Sequence, residues 1–575
     1  MNLFKVTWDL LNKKQKSLFF ILVIFSIFQT IFEMIGIAAA IPFVTFLLQP
    51  DKLSEIAFIS NFKILNEIEM TDNLLFYLCL AFFSIFMIKN LIIIITNKLI
   101  FNFIFDFRLK LFKSLIDKIL HQEYIFFIRK GISQIFNTTL NEVNMYTTNV
   151  IKPLIILLSE VLVSFGILIL IILTGNFQGL VLILPVILIV GLILKKINEF
   201  IKSWSITRIE ENEKLISYNL NLINGIKDIL IFGNIKNILG RFDKSLKSLM
   251  DVDVKNNVVG IYPKILLEQS VILIFILLIL LLNYLNTSSK DLIIILSFYL
   301  IAAYRLVPSI TRIFFSYQLI KSGMPSIPKV MEYYNLPKKN IFFENKETSN
   351  SLKFDQNIEL KNVSFEYEHD NKVIENLNLT IHKNEIIGIL GDSGVGKSTF
   401  INILTNLLKP KSGNIIIDDK ELNDPIELRK YQNLFSISSQ DTYLIDGTIR
   451  DNIIFGSNKK ISEERINEAI KFSRLEKMIK NLPKGLESFI GSTIKQLSSG
   501  QKQRISIARL FYSNREIFIF DEATNALDEN NEKIIIDNIK ELKQKKTIII
   551  ISHNKENLKN CDKIFELKNK TLQKI

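Results

Sequence analysis

The sequence predicts an α-helical membrane domain of six spans followed by a cytoplasmic α/β domain built on a parallel sheet. Apolar residues make up 49% of the 575-residue chain. They concentrate in the first 320 positions, in runs long enough to cross a membrane. After about residue 355, short apolar runs typical of strands alternate with helical segments, as they do in parallel α/β domains. This distribution excludes a purely soluble enzyme, a disordered chain and a collagen-like fibre.

Six apolar stretches have spanning length, and they cover residues 17–48, 74–97, 153–174, 177–195, 265–285 and 291–320. The segments 98–148 and 195–255 hold 7 and 11 Lys or Arg residues, whereas the segments on the opposite side of the membrane hold three. Because cytoplasmic loops carry the excess of basic residues, we expect the N-terminus, both long loops and the C-terminal half to be cytoplasmic. A helix on the outer leaflet and an ordinary loop are both compatible with residues 51–72.

The net charge and the two cysteines limit the partners and the kinds of site that the chain can have. The formal net charge is +13, which suits either nucleic acid or an anionic membrane surface. The basic residues lie in loops next to the membrane, so we expect membrane lipids as partners and no nucleic acid. Cys79 and Cys561 are too isolated to form a disulfide framework or a metal cluster. The predicted domains are 1–322 in the membrane, a linker at 323–355 and a cytoplasmic domain at 356–575.

A glycine-rich loop follows the apolar run that ends at Leu390 and leads into a helical segment. In this context the loop is credible as a phosphate-binding loop. Its backbone N–H groups and the helix N-terminus would bind phosphate oxygens, Lys397 would add a positive charge, and Ser398 would be a ligand of Mg²⁺. The nucleotide-binding candidates here are Gly391, Ser393, Gly394, Gly396, Lys397, Ser398 and Thr399.

An acidic pair, Asp521 and Glu522, ends the apolar strand Ile517–Phe520. Two carboxylates at the end of a buried strand have no structural reason to be there, because burial of charge is unfavourable. Combined with the phosphate loop, Asp521 is the candidate that holds Mg²⁺ through water, and Glu522 is the candidate catalytic base for the attacking water.

The segment Leu497–Arg504 resembles the signature of ATP-binding-cassette proteins, with Ser499 where the family has Gly. The resemblance implies a P-loop nucleotide-binding domain that uses ATP and Mg²⁺. It further implies that Gln440 contacts Mg²⁺ and the membrane domain and that His553 contacts the γ-phosphate. The remaining residues that it implies at the ATP site are Tyr367, which would stack on adenine, Ser498, Ser499, Gly500, Gln501 and Asp528.

The same resemblance implies a homodimer with twelve spans. In the family, ATP is closed between the phosphate loop of one subunit and the signature of the other. Asn525–Asp528 resembles the loop that crosses this dimer, with Asn525 where Ser is usual. Taken alone, Tyr367 is more often an ordinary strand residue and His553 an ordinary hydrogen-bonded side chain.

Four basic residues lie within apolar spans, where charge is unfavourable and often functional. They are Lys89, Lys264, Arg305 and Arg312. Arg305 and Arg312 are nearly two helical turns apart and share one face. They could neutralise an anionic cargo in a membrane cavity, since Arg suits phosphate groups. Alternatively, the four form ion pairs with Glu33, Glu160 and Glu268, or extend to an interface.

The segments around these cations, Met87–Asn90, Tyr262–Lys264 and Tyr304–Ile313, resemble the bacterial lipid-linked oligosaccharide flippases of protein N-glycosylation. This narrower resemblance implies a polyprenyl-pyrophosphate glycan as cargo and the bacterial inner membrane as location. An exporter of another lipid such as lipid A, or of a drug, is the main alternative. A regulator or channel on the same fold is less expected, because Glu522 and His553 are intact.

Overall fold

The computed structural model describes residues 3–39, 43, 72–173, 178–233, 235–284, 289–338, 352–367, 372–422, 424–457, 461–491 and 497–575. The chain divides into two compact units, one of Met1–Leu120 with Lys130–Pro337 and one of His121–Arg129 with Lys338–Ile575. The division after Pro337 falls within the segment that the sequence predicts as a linker. The predicted outer segment 51–72 lies outside the described residues, apart from Asp72 at the start of a helix.

Long helices dominate the chain before residue 338. They are α1 (Leu3–Leu10), α2 (Lys13–Ala38), α3 (Asp72–Leu120), α4 (Tyr124–Lys130), α5 (Ile132–Phe136), α6 (Val143–Met145), α7 (Lys152–Leu173), α8 (Gln178–Asn224), α9 (Ile226–Phe232), α10 (Ile235–Tyr284), α11 (Ser289–Gly323) and α12 (Ser326–Tyr334). Wider π-helical turns, Asn137–Glu142 and Tyr146–Ile151, join α5, α6 and α7.

Five helices among the described residues are long and apolar enough to cross a membrane: Lys13–Ala38, Cys79–Leu120, Ile132–Ile172, Ile235–Leu280 and Ile295–Gly323. They correspond to five of the six predicted spans. The sixth, 177–195, falls largely within α8, where most side chains before residue 200 lie outside the described residues. With 49 residues, α3 is about 74 Å long, more than twice the hydrocarbon thickness. Its apolar span therefore continues into a long polar helix.

The apolar core of the helical unit lies where α2, α7, α10 and α11 meet. Val163, Ile167 and Ile171 recur on one face of α7 and are fully buried. Their spacing of four residues places them one above the other along the helix. Leu278 of α10 and Ala302 of α11 complete the buried cluster.

The second unit is an α/β domain with three sheets. Its strands are β1 (Asn357–Glu366), β2 (Lys372–His382), β3 (Ile386–Leu390), β4 (Ser412–Ile417), β5 (Lys420–Glu421), β6 (Phe435–Ser438), β7 (Gly447–Thr448), β8 (Phe489–Ile490), β9 (Ile517–Asp521), β10 (Thr547–Ser552), β11 (Lys563–Lys568) and β12 (Thr571–Lys574). The central sheet has the order β12-β11-β3-β10-β9-β6. All its neighbours are parallel except β12, which pairs antiparallel with β11.

This topology confirms the parallel sheet that the sequence predicts. Strands β3 and β9 are buried at every position but the last, as expected where both faces of a sheet are covered. Since β3, β10 and β9 are parallel neighbours, their carboxyl ends meet at one edge. An antiparallel sheet of order β2-β1-β4-β5 and the pair β7-β8 complete the strands.

The helices of the α/β unit are α13 (Lys397–Leu404), α14 (Pro425–Gln432), α15 (Ile449–Ile454), α16 (Glu463–Phe472), α17 (Glu476–Lys480), α18 (Ser499–Ser513) and α19 (Glu529–Glu541). A separate buried cluster, which includes Ile453, Ile466 and Ile505, joins α15, α16 and α18. This cluster fixes the position of α18, whose N-terminus carries the signature.

Residues 121–129 belong to the α/β unit although they lie between helices of the other unit in sequence. Ile125 packs against the main core of the sheet domain. Glu123 forms an ion pair with Lys409 at 3.0 Å, and the Arg129 guanidinium donates to the Tyr367 carbonyl at 3.3 Å. A loop predicted to be cytoplasmic is thus packed on the α/β domain.

Candidate active site

The phosphate-loop candidates form a turn between β3 and α13, as their sequence context predicts. Gly396 has a φ of +108° and Gly394 a φ of +82°, a region that residues with a Cβ rarely adopt. A Cβ at Gly396 would also lie 3.1 Å from the Val373 side chain. Lys397 begins α13, so the backbone N–H groups of the first helical turn point out of the helix end.

Lys397 is held in place by two oxygen acceptors. Its side chain is buried, and its Nζ donates to the Gly391 carbonyl at 2.7 Å. Nζ also lies 2.7 Å from Oε1 of Glu522. The predicted phosphate-binding cation and the predicted catalytic base are therefore an ion pair in this structure.

The acidic pair lies at the carboxyl end of β9. Burial raises the pKa of Asp521 to about 6, with the neighbouring Glu522 adding to the shift and Lys397 opposing it. Glu522 has a φ of +49°, which is strained for a residue with a long side chain. Its backbone N–H donates to the Ile551 carbonyl of β10 at 3.0 Å, so the sheet edge maintains the strained turn.

Asn525 connects the catalytic candidate to His553. Its side-chain amide donates to Oε2 of Glu522 at 3.0 Å and lies 3.4 Å from Nδ1 of His553. Glu522 is therefore held by Lys397 at one carboxylate oxygen and by Asn525 at the other. His553 follows β10 directly, which explains how a residue distant in sequence reaches this edge.

The signature forms the first turn of α18. Ser498 is its N-cap: the Ser498 hydroxyl accepts from the Gln501 N–H at 3.2 Å, and the Gln501 side chain accepts from the Ser498 N–H at 3.0 Å. Gly500 lies against the turn after β9, where a Cβ would be 2.7 Å from the Ala526 carbonyl oxygen. Ser499, which replaces the family's Gly, lines a cavity of about 510 Å³ with Gln440.

Two predicted ATP-site residues have other contacts here. The Tyr367 hydroxyl lies 3.0 Å from the Thr399 hydroxyl, and its ring packs edge-on against Phe365 at 5.0 Å. Asp528 precedes α19 and accepts from the Asn531 side-chain amide at 2.6 Å. Adenine stacking by Tyr367 and ATP contact by Asp528 stay predictions.

The donor set fits a magnesium ion that shares its coordination with phosphate. The described residues contain no group of three or more His, Cys, Asp or Glu side chains able to hold a metal. The candidates Ser398, Gln440 and Asp521 offer a hydroxyl, an amide oxygen and a carboxylate, all hard oxygen donors. Mg²⁺ prefers such donors and commonly takes its remaining ligands from water and nucleotide phosphates.

The membrane cations lie mostly in ion pairs, the alternative that the sequence left open. The Arg305 guanidinium pairs with buried Glu33 through two nitrogens and lies 3.9 Å from Glu160. Arg312 Nε is 2.8 Å from Glu160 Oε1. The Ser309 hydroxyl, between the two arginines, donates to Glu160.

The two lysines differ from the arginines and from each other. Lys89 Nζ lies 4.4 Å from the centre of the Phe86 ring, and its charge interacts with Glu33 and Arg305. Lys264 is exposed and lies 3.9 Å from Glu268, one turn along its own helix. The structure thus groups Lys89, Arg305 and Arg312 around two buried carboxylates and leaves Lys264 in a separate pair.

Sequence reasoning did not find two polar links in the site. Asn525 was recognised only by its place in a motif, although its amide holds Glu522. The side chain of Gln503 joins α18 to the turn after β9. Gln503 lies four residues after Ser499 and therefore on the same helical face. This spacing is the feature of the sequence that indicates a role for Gln503 near the site.

Comparison with known proteins identifies the α/β unit. The profile of the ABC transporter family matches residues 374–525. The uncharacterized ABC transporter ATP-binding protein YwjA of Bacillus subtilis is 38% identical over 217 residues, 38% of this chain and 37% of that protein. An ATP-dependent lipid A-core flippase of Bordetella avium is 34% identical over 211 residues, 36% of each protein.

The likeness of fold extends over nearly the whole chain. A bacterial Atm1-family ABC exporter with ATP bound superposes with a TM-score of 0.76 at 19% identity, covering 97% of this chain and 94% of that one. The sequence matches to YwjA and the flippase span less than half the length of either relative. Residues 374–525 therefore match the ABC transporter family, and the chain has the fold of an ABC exporter.

Replacing Glu522 with Gln should lower ATP turnover by roughly 10²–10⁴-fold, the usual effect of losing a general base. Gln keeps the shape of the side chain and still accepts from Asn525, so ATP should bind with little change. Phosphate release and ATP binding by the purified protein measure the two quantities. Near-normal turnover in the Glu522→Gln variant would contradict the assignment.

Proposed function

We propose that two copies of this chain form an ATP-driven translocase that moves a polyprenyl-pyrophosphate-linked oligosaccharide across the bacterial inner membrane. The proposal rests chiefly on one observation: Arg305 and Arg312 share a face of α11 within a helical unit whose chain also carries an ATPase domain. An exporter of uncharged drugs has no use for guanidinium groups within its spans. A lipid with a phosphate-rich head group does, because bidentate contacts to phosphate are strong.

Hydrolysis would use the charged residues that the structure groups at the sheet edge. Lys397 exchanges Glu522 for the β- and γ-phosphates, which leaves the Glu522 carboxylate able to accept a proton from the attacking water. His553 then contacts the γ-phosphate, and Tyr367 turns toward the adenine. Asp521, Ser398 and Gln440 would hold Mg²⁺, which supplies positive charge to the phosphates.

Two features support a homodimer. The N-terminus of α18, with Ser498 and Gln501, is distinct from the phosphate loop, so the signature is available to ATP on a second subunit. Helix α9, in a loop predicted to be cytoplasmic, exposes Leu230 and Phe232 by 66% and 79% of their surface. Large apolar side chains so exposed in a polar loop indicate a protein partner, and we infer a second copy of this chain.

The membrane charges also set a condition on the cargo. Arg305 and Arg312 contact the carboxylates of Glu33 and Glu160, and Lys89 interacts electrostatically with Glu33, so this group of five has one excess positive charge. A monoanion would bind the arginines little better than the carboxylate that it has to displace, because that carboxylate already pairs with them. A pyrophosphate, with at least two negative charges and several acceptor oxygens, competes more effectively for the arginine forks.

The second candidate function is export of another lipid, such as lipid A, or of a drug. The ion pairs of Arg305 and Arg312 favour it, because holding helices together is by itself a sufficient role for an arginine that is paired with a carboxylate. The curated relatives that match the α/β unit include lipid A-core flippases. A regulator or channel is less well supported, since Lys397, Glu522 and His553 form an intact hydrolytic arrangement.

In a composite site, the phosphate loop of one subunit and the signature of the other bind the same ATP. Such sites can be tested with Lys397→Ala and Ser498→Arg in tagged heterodimers. If the signature serves the partner's ATP, lesions in opposite subunits fall in the same composite site and leave the other intact. Both lesions in one subunit damage both sites. We expect about half of the wild-type ATP occlusion in the first arrangement and close to none in the second. Equal occlusion in the two would contradict pairing between subunits.

Neutralising Arg305 and Arg312 together should nearly abolish lipid transfer while basal ATP hydrolysis continues, because the ATPase residues are untouched. Transfer of a labelled lipid-linked oligosaccharide in proteoliposomes is measured alongside phosphate release. Arg305→Lys, which keeps the charge but not the fork, should be milder than Arg305→Ala. Intact transfer in the double variant would favour the second candidate function.

A further inference from the structure

Gln503 bridges two elements that serve different ATP molecules in the proposed dimer. It lies on α18 within the signature segment Leu497–Arg504, one turn after Ser499, and is 5% exposed. Its side-chain Nε2 donates to the Glu522 carbonyl at 3.3 Å, and its Oε1 accepts from the Ala526 N–H at 3.0 Å. One buried amide thus fixes both ends of the turn 522–526.

This turn is the element that aims the catalytic carboxylate. Glu522 adopts a strained positive φ, and the turn is closed by the Asn525 N–H, which donates to the Glu522 carbonyl at 3.3 Å. Such a conformation persists only when its surroundings determine it fully. The Gln503 amide is one of these determinants, because it holds the carbonyl of the strained residue itself.

The helix and the turn are also in close contact at the backbone. Gly500 lies so near the Ala526 carbonyl oxygen that a Cβ would approach it to 2.7 Å. If the first helical turn of α18 moves toward Ala526, it must therefore either push residues 522–526 away or narrow the small gap between Gly500 and the Ala526 carbonyl oxygen. The contact and the Gln503 amide act in the same direction, since both join α18 to residues 522–526.

We propose that Gln503 is a positioning residue through which the signature helix sets the orientation of its own subunit's Glu522. The inference rests on the proposed dimer, in which Ser498–Gln501 close on the ATP of the partner while Lys397 and Glu522 serve the subunit's own ATP. Closure at one composite site then moves α18 and aligns the base at the other. Hydrolysis at the two sites is therefore positively coupled through Gln503.

Gln503→Glu is the informative change because it keeps the shape and the acceptor for the Ala526 N–H. It replaces the donor to the Glu522 carbonyl with a carboxylate oxygen, which repels that carbonyl. We expect kcat for ATP hydrolysis to fall about tenfold, the effect of losing one hydrogen bond in the transition state. We expect ATP affinity to stay within about twofold, because the hydrogen bonds of Gln503 go to the backbone of Glu522 and Ala526 and not to a phosphate-loop residue.

Cooperativity separates a positioning role from a structural one. Losing a purely structural residue would not lower the cooperativity without also lowering the ATP affinity and the thermal midpoint. The Hill coefficient for ATP should fall from about 2 in the wild type to about 1 in Gln503→Glu, since two coupled sites become independent. Gln503→Met, which loses both hydrogen bonds but keeps length and burial, should show the same loss. The matched control is Gln432→Glu, because the Gln432 side chain donates to the Asn406 carbonyl at 3.1 Å, away from the turn 522–526. It should leave kcat and cooperativity unchanged.

Hydrolysis, ATP affinity, Hill coefficient and thermal midpoint are measured on detergent-purified wild type and on the three variants. Wild-type kcat and cooperativity in both Gln503 variants would overturn the inference. So would a parallel loss of ATP affinity and thermal midpoint, which would show a role in folding only. A wild type that is monomeric and non-cooperative would instead overturn the proposed dimer, so the two failures are distinguishable.

Discussion

The ion pair between Lys397 and Glu522 is the interaction on which the site depends. The parallel sheet brings two adjacent carboxylates to the edge where the phosphate loop begins, and burial of both charges is unfavourable without a nearby cation. Lys397 supplies that cation at 2.7 Å. The pair fixes the Glu522 carboxylate beside the loop and directs Lys397 toward the same edge, so both residues lie where their proposed chemistry occurs.

The membrane unit follows the same physical rule. Glu33 and Glu160 are buried among apolar helices, and each contacts an arginine of α11. In both units a cation at the candidate site contacts a carboxylate: Lys397 contacts Glu522, and Arg305 contacts Glu33. A ligand rich in phosphate therefore has to displace a carboxylate in either place, and phosphate does so well because it offers more charge and more acceptor oxygens per group.

The sequence predicts the motifs and spans of this arrangement better than the contacts between their side chains. The loop before Lys397 and the acidic pair at the end of β9 could be recognised because glycines at that spacing, and adjacent carboxylates on a buried strand, rarely occur without a ligand to bind. Five of the six spans have a counterpart among the described residues and could be recognised from length and hydropathy alone, although the helical extension of α3 beyond its apolar run could not. Glu33 and Glu160 were visible as possible partners, but which arginine each would contact depends on helix rotation, which composition does not determine.

Contacts of single polar side chains were beyond prediction for a related reason. Gln503 and Asn525 are ordinary residues in a helix and a loop, and their partners become neighbours only when β9, β10 and α18 pack together. Tyr367 illustrates the converse, since its motif predicts adenine contact whereas the structure joins its hydroxyl to Thr399. A motif indicates which ligand a residue can contact, and packing determines which protein groups lie next to it.

The most direct test of the account is a structure of the wild-type protein in lipid nanodiscs with Mg²⁺ and a non-hydrolysable ATP analogue. We expect Lys397 to leave Glu522 for the terminal phosphates, with the distance between their charged atoms beyond ion-pair range, and Ser498 of the second copy to contact the same nucleotide. A nucleotide bound while Lys397 stays paired with Glu522, or closed by the signature of its own subunit, would contradict it.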